Sequence, residues 1–149
     1  MPRKAKDNEA EIYREAAVEH LALARELHDT GRYVMSHYLA GLAVECILRA
    51  YQYRLSPVFS GRHDLRILYR DADFANIVPQ ESEEAVGAAL SEVSRRWSNS
   101  HRYRSEAALR LFLRRANLGG TGKFVRESSR KIVNAATLIV EIGAVKWNS

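Results

Sequence analysis

Apolar residues return every three or four positions along most of this chain. Tyr13, Ala17, Leu21, Ala24 and Leu27 form one stripe, and Met35, Leu39, Leu42, Cys46 and Ala50 a second. Val86, Leu90, Val93 and Trp97 form another, followed by Leu109, Phe112, Leu113 and Ala116, then Phe124, Ile132, Ala135, Ile139 and Ile142. This spacing is that of α-helices with one face in a core. The first stripe predicts a helix from about Glu9 that closes at Asp29-Thr30-Gly31, with Gly31 in the left-handed position after the last turn. The second predicts a helix from about Arg32 to Arg54, stopped by Ser56-Pro57. Val34, Tyr38 and Ile47 widen its apolar face, which places it centrally in a bundle.

Asp64 is a suitable N-cap for a short helix carrying Leu65, Ile67 and Leu68, with His63 expected to help the cap, and the stretch from Asp71 to Pro79 breaks it. Ser105 is an N-cap for the next long stripe, which Asn117 to Gly120 ends. No alternating pattern marks a strand, and no internal repeat is present. The prediction is an all-α fold of five to six helices. Residues 1–8 are basic and lack apolar periodicity, so they read as a flexible arm ahead of a single domain over residues 9–149.

The 149 residues suffice for one core without staples. The lone Cys46 has no intrachain partner, and no sequence resembling a signal peptide opens the chain, so a cytoplasmic protein is expected. The run from Ile132 to Val145 is too short and too polar to span a bilayer. Charge changes the picture only when followed along the chain. Residues 1–60 hold 8 Lys/Arg against 8 Asp/Glu, residues 61–94 hold 3 against 7, and residues 95–149 hold 12 against 3. A basic last third favours a polyanionic partner.

Within that third, Arg95 to Arg104 reads Arg-Arg-Trp-Ser-Asn-Ser-His-Arg-Tyr-Arg. Guanidinium groups pair with phosphate, aromatic faces stack on bases, and a histidine titrating near neutrality can move a proton to or from a ribose hydroxyl. Gly119-Gly120-Thr121-Gly122-Lys123 lacks the spacing and the preceding strand of a phosphate loop and reads as a turn between helices. His20, His28 and His37 are too scattered for a metal site, so neither metal nor cofactor is expected.

Three sites, in order, carry a resemblance. They are Gly31-Arg32-Tyr33 leading into Ala43-Val44-Glu45-Cys46-Ile47-Leu48-Arg49-Ala50, then His63-Asp64-Leu65, then the basic aromatic segment. Together they resemble a HEPN domain over roughly residues 10–145. The resemblance implies an up-and-down helical bundle that commonly forms a homodimer, and, in many members, metal-independent endoribonuclease activity. The nuclease signature is Arg followed after four to six residues by His. Four residues separate Arg96 from His101, and five separate Arg95 from it.

Under that reading His101 is the acid/base for attack of a ribose 2′-hydroxyl, while Arg95 and Arg96 neutralise charge on phosphorus. His101-Arg102-Tyr103 also matches a toxin subgroup, which implies the toxin of a toxin–antitoxin pair and a nucleotidyltransferase-type antitoxin partner acting on Tyr103. A second pattern overlaps the first. Trp97 followed by Arg102-Tyr103 resembles members without evident nuclease activity, which implies a module binding nucleotide, RNA or a protein through Trp97, Arg102, Tyr103 and Arg104. Lys123, Arg126 and Arg130 share a helical face and could extend a phosphate-contacting stripe, although a solvated face is the ordinary account. Glu45, one turn before Arg49, reads as a buried carboxylate held by that arginine or as a group supporting the site.

Overall fold

The computed structural model describes residues 2–56, 63–120 and 122–149, with side chains from Asn8 onward. Six α-helices follow in order: α1 (Pro2–Asp29), α2 (Tyr33–Leu55), α3 (Leu65–Asp71), α4 (Glu83–Arg96), α5 (Glu106–Arg115) and α6 (Phe124–Lys146). Short 3-10 turns occupy Phe74–Ile77, Gln80–Ser82 and Asn99–Tyr103, and no strand occurs among the described residues. The all-α bundle read from the stripes is the fold observed. Helix α1 takes in the backbone of residues 2–8, the stretch expected as an arm. Its start suits a helix: proline is tolerated at the first helical position, and alanine and lysine follow.

The α1 stripe closes where Gly31 adopts φ +81°. The Arg32 N–H donates to the Leu27 carbonyl at 2.8 Å and the Gly31 N–H to that of His28 at 3.1 Å, so the last carbonyls of α1 are satisfied by the turn that begins α2. Asn117, at φ +59°, ends α5 in the same way, with the Leu118 N–H on the Leu113 carbonyl at 2.8 Å. Both expected N-caps form. Asp64 Oδ1 accepts from the N–H groups of Arg66 and Ile67 at 2.9 and 3.2 Å, and Ser105 Oγ accepts from that of Ala108 at 3.2 Å. Asp64→Ala or Ser105→Ala should each lower stability by about 1 kcal/mol, read as a shift of the urea midpoint at unchanged slope.

Helix α2 is the centre of the bundle. It packs against α1, α6 and α3, and almost every side chain from Ser36 to Tyr53 is buried. The main core joins Ile47, Leu48, Leu68, Ile132 and Ile139 from these helices with Phe74 from the turn after α3. A smaller core gathers Leu109, Leu113, Phe124 and Val125, with Phe112 and Leu118 at its edge. This second core positions α5 and the α6 start beside the basic segment. Among the described residues, no helix is long and apolar enough to cross a membrane.

Candidate functional site

Helix α4 ends at Arg96 because Trp97 turns extended, at φ −108° and ψ 142°. Trp97 then folds inward. Its indole N–H donates to the Tyr38 carbonyl at 3.0 Å, and its ring stacks on that of Tyr38 with centroids 6.4 Å apart. The ring expected to meet a ligand is therefore mostly packed against α2.

The following turn is built by its own side chains. Ser98 Oγ accepts the Ser100 N–H at 3.3 Å, and His101 Nδ1 accepts the Ser98 N–H at 3.3 Å. Accepting at Nδ1 leaves the ring proton on Nε2, which has no hydrogen-bond partner among the described residues. His101 is 1% exposed, in T-shaped contact with Phe112 at 4.6 Å and with His37 at 5.4 Å. Burial, reinforced by Arg104, lowers its pKa to about 4, so the ring is neutral at physiological pH. The imidazole expected as the acid/base thus faces the interior, with its lone pair committed to the turn.

The two arginines before it diverge. Arg96 is buried, donating through Nε to Glu92 Oε2 at 2.7 Å and through Nη1 to Ser128 Oγ at 3.1 Å. Arg95 stands half exposed and donates to the other Glu92 oxygen at 2.6 Å. Burial pushes the Glu92 carboxyl upward, but its pairs with Arg96 and Arg95 outweigh this and hold it below the usual carboxylate range. Arg96 and His101 thus belong to one interior layer, linked through Ser128 and His37, whose Nε2 lies 3.0 Å from Ser128 Oγ.

Arg102 and Tyr103 point outward. Tyr103 is 77% exposed, and the Arg102 guanidinium carbon lies 4.5 Å from the centre of its ring. Arg104 is intermediate, with its guanidinium 5.3 Å from the Phe112 ring and Nη2 3.4 Å from Ser100 Oγ. Across α5, Arg110, Lys123 and Arg126 surround a hollow of about 190 Å³ together with Tyr33 and Glu106. Arg130 is exposed but paired with Glu127 at 2.8 Å.

Glu45 is not part of the His101 layer. Buried on α2, its carboxylate lies 3.5 Å from Arg49 Nε and 2.6 Å from His63 Nδ1. The cap of α3 is accordingly the work of Asp64 alone. Among the described residues no three His, Cys, Asp or Glu side chains converge as metal ligands would.

The residues sequence reasoning missed are the polar members of the core. His37 is completely buried, and burial, then His101 and Arg96, lower its pKa to about 3. Beside it runs a chain of hydroxyls: His28 Nδ1 lies 2.8 Å from Ser129 Oγ, which donates to Ser36 Oγ at 3.3 Å, which donates to the Ala24 carbonyl at 2.6 Å. Ser128 and Ser129 sit between Val125 and Ile132 on the buried stripe of α6, and that placement was their signal.

Comparison with curated proteins and with solved structures returns no match. The family model for the HEPN domain matches residues 10–145, which takes in α2 with Glu45, the His63-Asp64-Leu65 cap and the whole basic segment. With the all-α architecture and nearly the full length of the chain included, the protein belongs to the HEPN domain family.

Proposed function

We infer that this HEPN domain is an RNA-binding module whose contact face is the outward half of the Arg95–Arg104 segment. One observation carries the reading: the ten residues divide cleanly. Arg96, Trp97 and His101 are buried in holding the turn, while Arg102 and Tyr103 are exposed on it as a stacked cation and ring. An exposed tyrosine offers a face on which any base can stack, worth about 1–3 kcal/mol per base, and the guanidinium beside it meets the adjoining phosphate. Arg95 and the cations around Tyr33 continue the positive field on either side.

A nuclease acting through His101 asks more of the turn. The Ser98 N–H would have to release Nδ1, and the ring would have to leave its place between His37 and Phe112. The binding module needs no such opening.

The test is fluorescence anisotropy of a labelled 12-nucleotide RNA in EDTA. Arg102→Ala and Tyr103→Ala should each weaken binding about tenfold, and Arg102→Ala should reduce the salt slope by about 0.7. Unchanged affinity in the double variant would overturn the reading. RNA cleavage in EDTA that disappears in His101→Ala would replace it with the ribonuclease.

A further inference from the structure

The two histidines read from the sequence exchange places in the fold. His101, expected at the chemistry, caps a turn from the interior. His63, expected at a cap, is the imidazole that the structure orients at a cleft. Its Nδ1 lies 2.6 Å from Glu45 Oε1, and the second oxygen of that buried carboxylate lies 3.5 Å from the buried Arg49. An ionised carboxylate can only accept, so Nδ1 carries the proton facing Glu45, and in the neutral ring Nε2 is then an acceptor. The His63 side chain is 43% exposed, and among the described residues Nε2 makes no hydrogen bond.

His63 borders a cleft of about 390 Å³ between the α3 start and the turn after α4. Arg66 stands beside it, and Ser94, Trp97, Ser98 and Asn99 form the facing wall. The cleft thus brings together an imidazole nitrogen, an amide and a guanidinium, at a volume within the range of small-ligand sites. Asn99 belongs to the same five-residue turn that displays Arg102 and Tyr103.

A ligand suited to this set brings an anion for Arg66 and a neutral O–H donor for His63. A ribonucleotide has both, and its 2′-hydroxyl is the group by which proteins tell RNA from DNA. We propose that the Glu45–His63 pair is a ribose-recognition site: His63 Nε2 accepts a hydrogen bond from the 2′-hydroxyl of a nucleotide seated in this cleft. The proposal rests on the RNA-binding reading and names the sugar that the same face selects. Glu45 acts as a positioning residue, fixing the tautomer that can accept.

A purely structural tie between α2 and α3 would leave sugar preference untouched, so sugar preference is the readout. Three labelled 12-nucleotide strands of one sequence are compared: uridine RNA, its 2′-deoxy form and its 2′-O-methyl form, which keeps an acceptor but has no donor. Wild type is expected to bind RNA about tenfold more tightly than either of the others. His63→Ala should bring RNA down to the level of DNA while leaving DNA affinity in place. Should His63→Ala fail to fold, the wild-type protein is read directly: the ¹⁵N resonance of His63 Nε2 should move on adding RNA and stay fixed on adding DNA.

Equal affinity of wild type for the three strands, a preference that survives His63→Ala, or an Nε2 resonance indifferent to RNA would each overturn the proposal. Failure here with Arg102→Ala and Tyr103→Ala still weakening RNA and DNA alike leaves the RNA-binding reading intact. A wild-type protein that binds none of the strands removes both.

Discussion

Gly41→Ala should lower the stability of this protein by about 3 kcal/mol or more, and should weaken RNA binding with it. A Cβ at position 41 would stand 2.0 Å from Trp97 Cδ1, far inside van der Waals contact. The indole has nowhere easy to go, since it is buried, lies over Tyr38 and donates its N–H to the Tyr38 carbonyl at 3.0 Å. Overpacking alone is worth about 1–3 kcal/mol, and a buried N–H deprived of its acceptor adds about 1–3 more. Trp97 is also the residue at which α4 stops, so displacing it moves Ser98 and the turn that presents Arg102 and Tyr103. Urea unfolding followed by tryptophan fluorescence measures the loss. A change below about 0.5 kcal/mol, the usual scale of a surface substitution, would mean that the close approach of α2 and Trp97 is not what fixes this turn.

The helices were legible because burial on a helix leaves a period in the sequence, and the caps because short polar side chains at helix ends have few other uses. Hence Gly31, Asp64, Ser105 and Asn117 could each be assigned a place before any coordinate was known. The basic segment was legible as chemistry but not as geometry. Between α4 and α5 no period says which side chain turns inward, and the inward choices proved to be Arg96, Trp97 and His101. One local signal did exist: Ser98 with a polar residue three positions on has the form of a capping box, the competing use for His101.

The exchange between His63 and His101 was not legible at all. It depends on Glu45, eighteen positions before His63, lying within reach of its ring, a contact that no short-range pattern encodes. The seam from His28 through Ser129 to Ser36 is hidden for the same reason, since a serine on an apolar stripe declares burial without naming its partner.

That polar core gives the protein a steep response to mild acid. His37 and His101 both ionise well below their ordinary value of 6.5, near 3 and 4, through burial first, with His101 and Arg96 adding to it for His37 and Arg104 for His101. The native state therefore holds two neutral imidazoles that the unfolded chain protonates once the pH drops through about 6.5. Their contribution is complete above that pH and is lost as pH falls toward the native values, because only the unfolded chain then gains protons.

Between about pH 6.5 and 5 each histidine should cost about 2 kcal/mol, and the pair about 4 kcal/mol, a large share of the stability of a single domain. Carboxylates add nothing in this window. Glu11, lowered by Arg14, and Glu92, where Arg96 and Arg95 outweigh the effect of burial, lose their contribution only as pH falls through 4.5 and below. Urea midpoints measured from pH 7 to 5 should thus fall as unfolding takes up nearly two protons at this pair, with His20, also lowered by burial, adding in the same direction, and His37→Gln should remove about half of the pair's share of that slope. A flat profile over this range would mean that both rings already accept a proton in the folded protein, and His101 would then regain the freedom to act on a substrate that its place between His37 and Phe112 now denies it.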